Sequence, residues 1–188
     1  MPDPEHPDEG MPIDVEPPKQ PATISDSRKR LEEVASERGK PFSFHEDAET
    51  ESLVDLFKDW DEVCDAPNSG RLKKLLKLRE QARKLGGDAT HFELKWYDDG
   101  LVVRVTDRQW RQYVLRVLVQ MVAETWREHG GKGTGSYYSD PKGQHDGPLI
   151  RLLLELFEQA GIPEKRRPGR HSLHQAIQAV AQNFPPVA

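Results

Sequence analysis

Apolar residues recur along this chain at spacings of three and four, then of two, then of three and four again, and these shifts of period outline its elements. From Glu51 to Cys64 the apolar positions are Leu53, Leu56, Phe57, Trp60, Val63 and Cys64, which predicts a helix with one buried face. Its other face is acidic, through Glu51, Asp55, Asp59, Asp61 and Glu62. Ala66-Pro-Asn-Ser-Gly70 reads as a turn. A second helix follows over Arg71–Leu85, with its stripe on Leu72, Leu75, Leu76, Arg79, Ala82 and Leu85 and a basic outer face of Lys73, Lys74, Lys77, Arg83 and Lys84. Gly86-Gly87 stops it. A short connection makes the two helices antiparallel neighbours, a helical hairpin whose outer faces carry opposite charge.

The period then drops to two. Phe92, Leu94 and Trp96 alternate with polar residues, Asp98-Asp-Gly100 turns the chain, and Leu101, Val103 and Val105 alternate again. Alternation on both sides of an Asp-Gly turn predicts a β-hairpin. Thr106-Asp-Arg-Gln109 fits a capping box. It opens a helix of about six turns, with apolar positions at Trp110, Tyr113, Val114, Val117, Leu118, Met121, Val122, Thr125 and Trp126. Leu115 and Val119 widen that stripe, so this helix is expected at the centre, touched on several sides. After a glycine-rich loop, Pro148 opens a helix carrying Leu149, Ile150, Leu152, Leu153, Leu156 and Phe157, and Gly161-Ile-Pro163 ends it. A second capping box, Ser172-Leu-His-Gln175, starts a last helix with Leu173, Ile177, Val180 and Phe184. The fold class expected is α+β and predominantly helical: a helical hairpin, one β-hairpin, a long central helix and two C-terminal helices, forming one compact domain over residues 45–185.

Composition sets that domain apart from what precedes it. Residues 1–50 hold 8 of the 15 prolines and carry 6 Lys or Arg against 13 Asp or Glu. The remaining residues carry 21 against 19, so the first fifty hold -7 and the rest +2 of the net charge of -5. Such a segment buries too little apolar surface to offset its ordering entropy. Residues 1–44 are therefore expected to be a disordered, acidic, Pro-rich tail. A short helix over 26–38, capped at Ser25–Ser27, carries only Leu31 and Val34 as an apolar stripe. No stretch approaches the ~18 apolar residues of a membrane span, Cys64 is the single cysteine, and the first residues lack the apolar run of a secretory signal. A cytoplasmic protein that does not enter membranes is the expectation.

Familiar catalytic signatures fail when tested. In the loop Gly130–Gly147, Gly131-Lys132 is followed by Gly133 and preceded by a helix, so neither a Walker phosphate loop nor a dinucleotide fingerprint fits. Ser136, Ser139, Asp140, His145 and Asp146 lie too close in sequence to form the usual triad, whose members converge from separate elements. His129, Asp140, His145 and Asp146 match no zinc spacing, and His171 with His174 share a helix face without a third ligand. No catalytic residue, metal or cofactor is predicted.

Two segments remain as binding candidates. The loop places Tyr137, Tyr138, Asp140 and His145 where a partner could be gripped, although a polar connection between two helices would read the same way. Lys165, Arg166, Arg167, Arg170 and His171 precede the last helix, whose His174 and Gln178 face outward; cations beside a helix start favour an anion, and glutamine can read adenine edges. The connection from Gly161 to Ser172 is long for a helix-turn-helix, and the overall charge opposes nucleic acid. The leading expectation is thus a non-enzymatic, intracellular binding or regulatory protein acting through protein contacts. A nucleic-acid-binding module using the 165–171 loop is the alternative, and a small hydrolase or transferase with its site at 130–147 stands third.

Overall fold

The structure, a computed structural model, describes residues 23–37, 39–84, 106–131, 135–139 and 143–182. Among them the chain is predominantly helical. In order they form α1 (Ile24–Ala35), α2 (Asp47–Lys58), α3 (Trp60–Cys64), α4 (Asn68–Lys84), α5 (Asp107–Glu128), β1 (Tyr137–Ser139), β2 (Gln144–Asp146), α6 (Pro148–Gln159) and α7 (Arg170–Ala181). A 3-10 turn at Glu164–Arg166 lies between α6 and α7. The β-hairpin expected from Phe92 to Val105 lies outside the described residues, as do the tail residues before Thr23, Asp140 and Phe184.

The centre is α5. Thr106 and Gln109 cap it reciprocally, as the capping box requires, and Trp110, Val114, Val117, Leu118, Met121, Val122 and Trp126 are buried along it. It packs on α2, α3, α6 and α7. The Trp110 indole donates to the Val63 carbonyl at 2.7 Å, which satisfies its one polar atom in the core. Pro148 opens α6 as expected, and all six of its apolar positions are buried.

Residues 24–44 contribute more to the core than their composition implies. Thr23, not Ser25 or Ser27, caps α1 in a full capping box with Asp26. Leu31 and Ala35 of α1 are buried, and so are Phe42 and Phe44 beyond it. Helix α1 lies on α6 and α2, with Arg30 paired to Glu155 at 2.8 Å and to Glu158 at 3.1 Å. His129, at the end of α5, packs against the rings of Phe42, Phe44 and His45, and its Nδ1 donates to the Thr125 carbonyl at 2.7 Å. Buried residues of 31–44 thus belong to the same core as the helices that follow. Few apolar residues lie between 24 and 44, yet burying each large one is worth about 1.5–3 kcal/mol, and a proline-rich average over residues 1–50 conceals them.

The helical hairpin forms with two changes. What sequence periodicity reads as one helix over 51–64 is broken at Asp59, whose carboxylate accepts from Lys77 at 2.6 Å and from Gln81 at 3.3 Å. Lys74 meets Glu62, so the acidic and basic faces do oppose one another. The buried line of α4 also runs one position away from the expected stripe: Arg71, Leu75 and Leu78 are buried, while Leu76 is 46% exposed.

The glycine-rich loop is not structureless. β1 and β2 pair antiparallel, Tyr137 opposite Asp146 and Ser139 opposite Gln144. Gly135 has φ +64 and Gly147 φ +136, conformations that side chains oppose. A Cβ on Gly135 would lie 2.6 Å from the Leu149 Cβ, and one on Gly147 would strike the Gly135 backbone. These glycines let the two ends of the segment touch, locked by Leu149 N–H donating to Gly135 O at 3.0 Å. The capping box at Ser172 does not form. Helix α7 begins at Arg170, its N-cap Gly169 supplies no side chain, and Ser172 lies inside the first turn.

Candidate functional site

The segment joining α3 to α4, the start of α5 and the segment leading into α7 enclose a groove of about 1250 Å³. Its lining holds six cationic side chains, Arg71, Arg108, Arg111, Lys165, Arg166 and Arg167, against the carboxylates of Asp65 and Asp107. Trp60, Leu115, Pro67 and Pro168 supply apolar surface to the same lining. The first turns of α4, α5 and α7 all contribute to it, through Arg71, through Asp107, Arg108 and Arg111, and through His171 and Ser172. Helix starts carry a partial positive charge, so three of them add to the field of the cations. Helix α7 has neither a side-chain cap nor an acidic residue in its first turn.

Most of the cations are held. Arg71 is buried beneath the groove, paired with Asp107 and stacked 5.4 Å from the Trp110 ring centroid. Arg166 binds Asp61 at 2.7 Å and also Asp65. Arg111 reaches the other oxygen of Asp65 at 2.6 Å. Two guanidiniums thus converge on one carboxylate. Hydrogen bonding from Arg166, then from Arg111, holds the Asp65 carboxyl below its ordinary pKa. Arg167 donates to the Ile162 carbonyl at 2.6 Å and meets Glu158 at 3.3 Å. Trp60 fixes the loop from below, its indole donating to the Arg166 carbonyl at 3.1 Å. Arg108 and Lys165 are exposed and have no ion pair among the described residues. Cys64 lies in the wall, and burial pushes its thiol up to about 12, so it remains protonated and unreactive at neutral pH.

The basic candidates therefore separate. Lys165, Arg166, Arg167 and His171 line the groove, whereas Arg170 turns away to Asp146 at 2.9 Å. The Asp146 side chain is only 5% exposed, so Arg170 serves the fold. His174 and Gln178 are not part of the lining; Gln175 is. Of the loop candidates, Tyr137 is 47% exposed and His145 joins a second cluster. There the His145 ring stacks on His174 with centroids 3.9 Å apart, and its Nε2 lies 3.2 Å from His171 Nδ1. Ser136 Oγ lies 3.0 Å from His174 Nδ1. Burial, then the neighbouring His145 and His171, lowers the pKa of His174.

The Ser136–His174 contact has the distance of a nucleophile and its base, but Ser136 is 7% exposed and neither residue lines the groove. The cluster pins β1 and β2 to α7 instead. No group of three or more metal-ligating side chains converges among the described residues. Nor is any helix among them long and apolar enough to cross a membrane.

Sequence reading singled out the 165–171 loop but not Trp60, Asp65 or Arg71 as its companions. Arg71 had a readable signal: it lies four and seven residues before Leu75 and Leu78, on the buried face of α4. Asp65 had none, because its partners Arg111 and Arg166 are distant in sequence. Compared with protein-family models, with curated proteins and with solved structures, the chain matches none.

Proposed function

We propose that the protein is a non-enzymatic binding protein whose groove takes an acidic, partly apolar segment of a protein partner. The observation that carries this reading is the sign of the groove: six cations against two carboxylates, on a chain whose net charge is -5. Apolar floor and cationic rim together suit a peptide that alternates acidic and apolar side chains. Desolvated apolar contacts supply affinity, and rim charges supply steering and selectivity.

Nucleic acid is the second reading, favoured by Arg108 and Arg111 sharing one groove with the 165–171 loop. It is weaker for a physical reason. Arg111, Arg166 and Arg167 are already engaged by carboxylates, which leaves Arg108 and Lys165 as the exposed cations without an ion pair among the described residues, enough to meet one or two carboxylates of a peptide but few for a run of phosphates. Lys73 and Lys77 do not extend the face, and Lys77 is paired with Asp59.

The test is fluorescence anisotropy with a labelled decapeptide of mixed Glu, Val and Pro. Arg108→Glu with Lys165→Glu should weaken its binding about tenfold, or 1.4 kcal/mol, without moving the thermal midpoint, since neither side chain has an ion pair among the described residues. Unchanged affinity would refute the assignment. Tighter binding of a short duplex, with a salt slope of several phosphates, would put nucleic acid in place of the peptide.

A further inference from the structure

We propose that residues 1–22 of this same chain dock in the groove and regulate it by competing with the partner segment. The regulatory half rests on the groove being the partner's site; the docking half does not. Residues 1–22 contain six carboxylates, at Asp3, Glu5, Asp8, Glu9, Asp14 and Glu16, and one lysine, Lys19. Within them Ile13 and Val15 alternate with Asp14 and Glu16, between Pro12 and the pair Pro17-Pro18. Alternating apolar and acidic side chains are what a groove with an apolar floor and a cationic rim accepts. Holding a proline-flanked segment extended forfeits less entropy than holding an ordinary one. The proline surface offered by Pro67 and Pro168, beside the largely buried Trp60, suits such a backbone.

The helix to which the segment is attached touches one wall of the groove. The described chain starts at Thr23, the cap of α1, and Arg30 of α1 shares the Glu158 carboxylate with Arg167 of the groove wall. From Thr23 to Arg30 is about 10 Å along the helix. The seven residues from Glu16 to Thr23 span about 22 Å when extended. A tether of that length gives an effective concentration on the order of millimolar, so even a weak site fills. The same charge complementarity makes the contact sensitive to salt.

Carbodiimide coupling of the full-length chain tests the docking. It joins carboxylates to amines that lie within contact distance, and mass spectrometry locates the link. Lys165 should couple chiefly to Asp14 or Glu16 within one chain, and the product should vanish at about 1 M salt. Coupling of the tail to Lys165 no more often than to Lys58 or Lys73, outside the groove, would overturn the proposal.

A second measurement separates this inference from the reading of the groove itself. In the full-length chain all six tail carboxylates are changed to amides, Asp to Asn and Glu to Gln. The labelled decapeptide should then bind about fivefold more tightly. Equal binding by both chains would overturn the competition and leave the groove's assignment standing. Binding by neither would overturn the assignment and the competition with it, while the Lys165 link still decides whether the tail docks.

Discussion

Arg170 shows how a side chain's role depends on what faces it. Read in sequence, it is one of four cations beside a helix start and a natural phosphate ligand. In the fold its guanidinium meets the buried Asp146 carboxylate at 2.9 Å. Arg170→Ala removes a partner from a carboxylate that has little water, at a cost of about 2 kcal/mol. The thermal midpoint should drop and acidic-peptide affinity in the folded protein should stay unchanged, the reverse of the Lys165 result. His174 supplies a pH dependence of definite sign. Burial, with His145 and His171 beside it, lowers its pKa in the fold. The unfolded chain therefore takes up this proton first. The stabilisation is present above the ordinary histidine value of ~6.5 and is lost as pH falls through the lowered value. Unfolding midpoints measured from about pH 7 to about pH 5 should decline, and His174→Gln should flatten that decline.

Elements with one wide apolar stripe are legible in the sequence. α5 and α6 have the expected burial because Val, Leu, Met and Trp fall on a single face, and the Thr106–Gln109 box and Pro148 mark their starts. α4 is the counter-example. Its leucines at 72, 75, 76 and 78 fit several faces, and the lysines among them give no contrast, so periodicity places the stripe one position from the buried line. Leu78→Ala should cost about 3 kcal/mol, whereas Leu76→Ala should stay within ~0.5 kcal/mol; equal effects in denaturant unfolding would contradict the observed rotation. The Ser172 box failed for another reason. Arg170 is drawn into the helix by its bond to Asp146, so the helix starts before the residue that local rules nominate. β1 and β2 have no signal in the sequence, because three-residue strands held by Gly135 and Gly147 leave no periodic trace.

At the scale of the whole molecule, charge and burial are distributed by tertiary contacts that the sequence does not display. Phe42 and Phe44 pack in the core against His129 at the end of α5. In the groove, Asp65 joins Arg111 and Arg166, and Arg166 lies 101 residues from it along the chain. The basic loop was visible as composition; its apolar floor and its opposing wall were not. Chain segments far apart thus produce a cationic groove on an acidic protein, and that groove is the centre of the functional reading. Backbone amide shifts on adding the unlabelled Glu, Val and Pro decapeptide to the full-length chain test it most directly. Shifts concentrated at Asp107–Gln112 and Lys165–Gln175, and erased by salt, are the result expected. Shifts elsewhere, such as along the exposed side of α1 and α6, or none at all, would contradict it.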